Sequence, residues 1–408
     1  MSSEVDSLVL GDVVSLVRGT TYKSALLGRP GPVLLGLASI QRNGGFRSDS
    51  LKTYGGESKG KLLLKPGDLF VSLKDVTQSA DLLGAIARVP PSVSCGRLTQ
   101  DTVRLDFNRG SYPGNLVYWV LRTPQFRSHC REHATGTTNL GLSRDDFLAF
   151  PLPPSNDSAL SLVEMLDALD DRIDNLRATN ATLEAIAQAI FKSWFIDFDP
   201  VRAKMEGREP EGMDAETAAL FPSEFEESEL GLIPRGWDCG SISNLGGMSS
   251  GRRPPTRHQA PSDSAFVPVF GGSGVMAYTE EPLEREPLIL TGRVGAIGTV
   301  HHITQECWPS DNTLLLKPAK WFEFALQHLR QVDFALITKG STQPMITQTD
   351  LKSSPIIMPP DRLVASYESL VLPIRQKIVN VNKECECLSS MRDHLLPRLI
   401  CGKLRLAA

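Results

Sequence analysis

The chain has 408 residues, a hydrophobic fraction of 41% and a formal net charge of −4. At roughly 150 residues per domain this length predicts two or three domains, and no apolar run approaches the ~20 residues needed to span a bilayer. The opening MSSEVDSLVLGDVV has no basic stretch leading into an apolar core, so no signal peptide is expected and the expected location is the cytoplasm. Seven irregularly spaced cysteines without a CxxC pair argue against a disulfide framework and a structural zinc site, and are expected to be reduced and structural.

The small net charge hides a strong segregation. Residues 1–154 carry 18 Lys+Arg against 13 Asp+Glu, and residues 155–230 carry 6 against 18. Residues 231–358 balance at 11 and 11, and residues 359–408 carry 8 against 5. A phosphate-bearing partner would be repelled by the central block and tolerated by the flanking regions.

In chain order, the first region shows short β-prone runs at Lys61–Leu64, Leu69–Ser72 and Thr102–Leu105, then a short helix near Val117–Leu121. It reaches Gly136-Thr137-Thr138-Asn139-Leu140-Gly141-Leu142-Ser143, then Asp146, Phe147 and the proline-rich exit Pro151-Leu152-Pro153-Pro154. A heptad seam follows: Leu162, Leu166, Leu169, Ile173, Leu176, Asn180, Leu183, Ala187, Ile190, Trp194. Asn180 is its polar interruption, a type of residue that costs stability and fixes register. Asp197 to Glu229 is charged and punctuated by Gly and Pro, which reads as an extended linker.

Gly231-Leu232-Ile233-Pro234-Arg235-Gly236-Trp237 restarts the folded chain. β-prone runs recur at Phe266–Phe270 and Leu288–Leu290, and a helix is predicted near Trp321–Val332. Gly340-Ser341-Thr342-Gln343-Pro344-Met345-Ile346-Thr347 then repeats the earlier Gly136 segment at an offset of 204, with Asp350 and Leu351 in place of Asp146 and Phe147. A second seam completes the repeat: Tyr367, Val371, Ile374, Ile378, Val381, Cys385, Leu388, Arg392, Leu395, Leu399. It matches the first position by position, 205 residues on, which favours the two helices pairing with each other. Pro373 inside it predicts a helix that is shorter than its partner or bent.

Several motifs point elsewhere and are weak. Phe270-Gly271-Gly272-Ser273-Gly274 has the F-x-G-x-G form of a methyl-donor loop, but no Asn/Asp-Pro-Pro-aromatic segment follows, and a flexible turn is the better reading. There is no phosphate-binding G-x-x-x-x-G-K-[ST] sequence. His129-Cys130-Arg131-Glu132-His133 fits the inverted zinc-protease pattern H-x-x-E-H, a short pattern with no counterpart at 332–336. No catalytic or metal-binding residue is assigned.

The architecture resembles the specificity subunits of type I restriction-modification systems over essentially the whole chain. The segments that carry the resemblance are Ile190-Phe191-Lys192-Ser193-Trp194-Phe195-Ile196-Asp197-Phe198-Asp199-Pro200-Val201, Glu229 to Trp237, Gly340 to Ile346 and Leu395 to Leu404. After Pro154 the chain departs from the common pattern, with Ser155-Asn156-Asp157-Ser158 where a Glu-Gln pair is usual. The resemblance implies an α+β protein with two pseudo-symmetric target-recognition domains separated by two long antiparallel coiled-coil helices. The expected divisions are a first recognition domain at 1–154, a central spacer helix at 155–196, an acidic linker at 197–230, a second recognition domain at 231–358 and a C-terminal spacer helix at 359–408. The pairing residues would be Leu166, Leu169, Ile173, Leu176, Asn180 and Leu183 against Val371, Ile374, Ile378, Val381 and Leu388.

The function so implied is non-catalytic: reading a bipartite target in double-stranded DNA and docking two methyltransferase subunits, and through them restriction/translocase subunits, in host defence. No membrane is involved. S-adenosylmethionine, ATP and magnesium are expected on the partner subunits and no cofactor in this chain. A helix of about 35 residues would be roughly 50 Å long, about 15 base pairs of duplex. Polar loop residues are the candidates for DNA contact. In the first domain these are Arg42, Asn43, Lys74, Thr137, Thr138 and Asn139; in the second they are Arg252, Arg253, Arg293, Ser341, Thr342 and Gln343. Turns that merely cap strands would use the same residues. A tandem scaffold whose coiled coil joins protein partners, without DNA binding, is the competing reading.

Overall fold

The computed structural model describes residues 8–401, apart from Ser50, Thr77, Gln78, Arg109, Gly110, Ser111, Thr138 and Ser341, and without the side chains of Ile400 and Cys401. The chain forms two compact units, the first drawn from two separate stretches of sequence and the second from the continuous stretch between them. The first takes residues 1–176 and 383–408, and the second takes 177–382. Both cuts fall inside long helices, because each helix contributes one half to each unit.

The first unit is built on an antiparallel sheet in the order Val14–Arg18, Thr102–Phe107, Leu69–Ser72, Ile86–Arg88. A smaller sheet pairs Val33–Leu35 in parallel with Gly96–Leu98. Helices Gly114–Val120, Pro124–Glu132 and Arg144–Leu148 follow. The second unit repeats this plan. Its antiparallel sheet runs Gly246–Ser250, Thr313–Pro318, Leu288–Gly292, Val300–Ile303, and Val267–Gly271 pairs in parallel with Trp308–Pro309. Helices Phe322–Gln331, Phe334–Ile337 and Gln348–Lys352 follow. The central strands Leu69–Ser72 and Leu288–Gly292 are buried along their whole length, as expected for runs that lack polar alternation.

The first long helix spans Asp157–Phe195 and the second Asp361–Cys401. Asn156 caps the first, its Oδ1 accepting the Ala159 N–H at 2.9 Å, so the divergent Ser-Asn-Asp-Ser segment supplies its own start signal. The second helix runs unbroken through Pro373 and is not shorter than the first. Pro373 is solvent-exposed, so the carbonyl it deprives of a donor faces water.

The helices run antiparallel within each unit. In the first, Asp170 pairs with Arg392 at 2.6 Å and Arg172 with Glu384 at 2.8 Å, and Leu162 and Leu166 share a core with Leu396 and Leu399. In the second, Asn180 Nδ2 donates to Asn382 Oδ1 at 2.7 Å, and Glu184 pairs with Arg375. Leu166, Ile173, Leu176, Asn180, Val371, Ile378 and Val381 are buried, and Leu169, Leu183, Ile374 and Leu388 are half-buried.

Each helix seam is tied to its own domain by buried charge. Asp170 also accepts from Arg122 at 2.6 Å, while Asp167 accepts from Arg88 and from the Trp119 indole. Burial alone would raise the Asp170 carboxyl, but Arg122 and Arg392 hold it below its ordinary range. In the second unit Arg375 bridges Glu184 and the buried Glu323.

The segment expected to be an extended acidic linker is folded instead. It forms helices Asp199–Met205 and Ala215–Ala219 and a hairpin of Phe225–Ser228 with Gly231–Pro234. Its acidic residues lie largely on exposed positions, while Phe198, Val201 and Phe221 are buried. Phe221 meets Trp194 at 5.3 Å and Phe198 meets Trp237 at 5.7 Å between ring centroids, within an aromatic cluster that includes Phe195, Phe324 and Tyr367. Few apolar residues spaced among many charges hid this anchoring from a reading based on composition.

Removing one partner from a buried ion pair strands the other. Arg375→Met is expected to destabilise the second unit by about 3–5 kcal/mol, seen as a lower urea midpoint in its unfolding transition; an unchanged midpoint would show that Glu323 is not dependent on this guanidinium.

Burial also pushes the Glu368 carboxyl up to about 7, helped by Glu323, although it accepts the Phe324 N–H at 2.8 Å. A carboxyl raised on folding binds protons more tightly in the native state. Its contribution is complete below its ordinary 4.5 and is lost as pH rises through about 7. Glu368→Gln is therefore expected to raise the unfolding midpoint at pH 8 and leave it unchanged at pH 4.

Candidate nucleic-acid interface

The repeated Gly136 and Gly340 segments fold into the same small assembly in each unit. Thr135 and Gly141 exchange both backbone hydrogen bonds, at 2.9 and 2.8 Å, and close a loop. Lys339 and Met345 do the same, both at 2.8 Å. Gly136 and Gly340 have φ of 97° and 92°, and a Cβ at either would overlap the carbonyl oxygen three residues on, of Asn139 or Gln343. Beyond each loop stands a helix cap: Ser143 Oγ accepts the Asp146 N–H at 3.0 Å, and Thr347 Oγ1 accepts the Asp350 N–H at 3.1 Å.

Each assembly is fastened to its sheet by equivalent bonds. Leu142 N–H donates to the Leu73 carbonyl at 3.0 Å, and Ile346 N–H to that of Arg293 at 3.0 Å. Arg144 Nη2 donates to the Leu16 carbonyl at 3.1 Å, and Gln348 Nε2 to that of Met248 at 2.7 Å. Each loop therefore sits at a fixed place on a rigid sheet.

In the first unit the assembly borders an open cleft of about 340 Å³ lined in part by Arg18, Lys74, Gln100, Asp101, Thr135 and Arg144. Lys74 lies on the strand Lys74–Asp75, which pairs with Leu140–Gly141, and its Nζ meets Asp101 at 3.2 Å while half-exposed. Thr137 and Asn139 are exposed in the loop, and Thr138 lies outside the described residues. Three cations face one carboxylate here.

In the second unit Arg293 occupies the position of Leu73, with its backbone N–H on the Asn312 carbonyl at 2.9 Å. Arg252 N–H donates to the Pro309 carbonyl at 3.0 Å, and Trp308 Nε1 donates to the Arg252 carbonyl at 2.8 Å. Arg252 and Arg293 therefore lie at the same Pro309–Thr313 turn. Arg253, Thr342 and Gln343 are exposed, and Ser341 lies outside the described residues. Lys339 and Thr347 bond to Asp350 and hold its carboxyl below the ordinary range, so it stays ionised as part of the cap.

Arg42 and Asn43 are placed apart from this group. They lie in a tight turn in which Asn43 N–H donates to the Asp81 carbonyl at 2.8 Å and Arg42 approaches Asp81 at 3.9 Å. Arg18, Gln100, Arg144 and Gln348 join the assemblies although the sequence reading did not single them out. For Arg144 and Gln348 a signal existed: both follow the N-cap residue of the repeat by one position.

The chemistry on offer is that of polar recognition. Arginine presents two parallel donors to guanine, and Asn or Gln side chains pair in two bonds with adenine. The His129 ring instead bonds the Asp146 carbonyl at 2.8 Å, and no group of three metal-ligating side chains occurs among the described residues. Phe270 to Gly274 forms a hairpin turn in which Gly271 pairs with Gly274. No helix among the described residues is long and apolar enough to cross a membrane.

Comparison with known proteins agrees with this duplicated architecture. Residues 234–362 match the family described as the type I restriction modification DNA specificity domain. The chain is 23% identical over 71% of its length to the type I restriction enzyme MjaIX specificity subunit of Methanocaldococcus jannaschii, covering 68% of that protein. It is 27% identical over 62% of its length to the HindI specificity subunit of Haemophilus influenzae, again covering 68% of that protein. The crystal structure of a type I restriction-modification S subunit from M. genitalium has the same fold, with a TM-score of 0.54 at 14% identity over 98% of each chain. Residues 234–362 thus carry a type I restriction modification DNA specificity domain, and the relatives that the chain resembles over most of its length are specificity subunits.

Replacing either loop glycine by alanine is expected to strain its own loop by about 1–3 kcal/mol. Gly136→Ala should speed hydrogen exchange at the Thr135 and Gly141 amides, and Gly340→Ala at Lys339 and Met345, each leaving the other pair protected. Unaltered protection in both variants would show that the positive φ is dispensable.

Proposed function

We propose that the chain reads a split target in double-stranded DNA, one half with each unit, and supplies no catalysis of its own. The observation that carries this reading is the pair of equivalent loop-and-cap assemblies, each fastened to a rigid sheet and each surrounded by residues suited to base edges. In the first unit these are Lys74, Thr137 and Asn139, joined by Arg18 and Arg144; in the second they are Arg252, Arg253, Arg293, Thr342 and Gln343; Thr138 and Ser341, which lie outside the described residues, belong to the proposal by their sequence positions alone. The long helices would dock two methyltransferase subunits, which would bring in restriction/translocase subunits. S-adenosylmethionine, ATP and magnesium would act on those partners. The difference between Lys74 and its positional counterpart Val294 supports two different half-sites, since equivalent positions present different chemistry.

Mapping genomic methylation with this chain and its methyltransferase, with and without Arg293→Ala, tests the reading. The variant is expected to weaken discrimination by about 1–3 kcal/mol for each lost base contact, relaxing one half-site while the other is kept. Equal loss at both halves would overturn the assignment of one half-site to each unit.

A further inference from the structure

A second cleft of the first unit, of about 360 Å³, is lined by five arginines: Arg42, Arg122, Arg127, Arg131 and Arg392. We propose that it seats a phosphate of the DNA backbone, contacting the duplex without reading its sequence. This rests on the DNA-binding reading above.

The charge balance points to an anion. Three carboxylates answer the five guanidinium groups. Asp393 pairs with Arg392, Asp170 with Arg122 and Arg392, and Asp81 approaches Arg42 only at 3.9 Å. Arg127 forms no ion pair with a carboxylate among the described residues, although Asp81 and Asp75 act on it from farther off. It is buried, and its two Nη atoms donate to the carbonyls of Ala80, Asp81 and Leu83, while its Nε makes no hydrogen bond. Arg131 is exposed with no ion pair among the described residues, and the Arg42 side chain is 79% exposed. Two exposed cations thus stand at the edge of a cleft whose floor is already positive.

The site is also built. Gly44 and Gly45 have φ of 108° and 112°, and Gly45 N–H donates to the Ile86 carbonyl at 2.8 Å. A Cβ on Gly44 would press on Arg122 Cγ at 3.0 Å, so the turn bearing Arg42 is seated directly on the aliphatic stem of a buried arginine. The lining among the described residues has no aromatic ring on which a base could stack; Pro124 and Leu396 are its apolar members. Guanidinium groups without a stacking surface select a phosphate rather than a whole nucleotide.

The cleft is separate from the candidate reading site, with no lining residue in common among the described residues, but one stretch of chain leads from one to the other. Arg127 holds the carbonyls of residues 80–83, at the end of the loop that begins with Lys74–Asp75, and Asp75 Oδ2 accepts the Leu82 N–H at 2.7 Å. A phosphate placed here would set the register of a duplex against Lys74 and the Gly136 loop, the usual division between positioning and reading.

The test uses the full chain, a random-sequence duplex and a duplex carrying the mapped target, with binding titrated from 50 to 200 mM salt. Arg42→Gln and Arg131→Gln change exposed side chains; Arg208→Gln, in the acidic segment, is the control. Each phosphate contact contributes about 0.9 to the slope of log affinity against log salt. Each cleft variant should therefore lose about three- to fourfold less affinity than the parent over this range, on both duplexes, with the preference for target unchanged.

Slopes equal to the parent would overturn the cleft. A changed target preference would make Arg42 or Arg131 a base reader and overturn it as well. If inorganic phosphate at matched ionic strength binds the parent and not the variants while the DNA slopes stay equal, the source is free phosphate and the DNA assignment fails. A parent chain that binds neither duplex would instead sink the DNA-binding reading itself.

Discussion

The structure depends on a buried knot of charge where the two long helices meet each domain. In the first unit a carboxylate, Asp170, holds the guanidinium groups of Arg122 and Arg392. In the second unit a guanidinium, Arg375, holds the carboxylates of Glu184 and Glu323. Each knot joins three parts far apart in sequence: one half of each long helix and, from the domain, the turn at Arg122 or the helix bearing Glu323. A buried ion pair contributes little to stability over a well-packed apolar alternative, and its value lies in specifying which surfaces meet. Apolar seam residues such as Ile173 and Ile378 supply the burial; the charges decide the alignment.

That alignment lets one chain make two similar heads. Each domain closes around its own sheet, and each closes its loop with the same exchange of backbone hydrogen bonds. The loops themselves differ: Thr137 and Asn139 are exposed in one, and Thr342 and Gln343 in the other. The scaffold bonds that fix each loop come mostly from backbone carbonyls and amides, such as Leu73 to Leu142 and Arg293 to Ile346. Side chains at the tips are therefore free to differ without cost to the frame, which suits a surface that must recognise varied partners.

Much of this was legible in the sequence because duplication writes each feature twice. The heptad seams, the Gly136 and Gly340 loops and the strands Leu69–Ser72 and Leu288–Leu290 all stood out by repetition or period. Phe266–Phe270 was shifted by one residue, since Phe266 is exposed and the strand is Val267–Gly271. What was not legible depended on tertiary packing. The acidic stretch after Asp197 read as a linker because its net charge dominates, yet Phe198, Val201 and Phe221 suffice to bury it against Trp194 and Trp237. Pro373 pointed to a helix that was shorter than its partner or bent; the helix is not shorter, and the exposed setting of the proline lets it continue. Arg42 and Asn43 were grouped with the other candidates by residue type, and the structure sets them in a separate cleft, at the turn that includes Gly44.

The reversed polarity of the two knots limits what each helix can accept as company. Position 375 of the second helix corresponds to position 170 of the first, so a copy of the first helix standing in for the second would set Asp170 where Arg375 now meets Glu184. Carboxylate would face carboxylate, and by two-fold symmetry it would do so twice. The sequence thus discourages pairing of its first helix with a copy of itself and rewards pairing with the second, which differs from it.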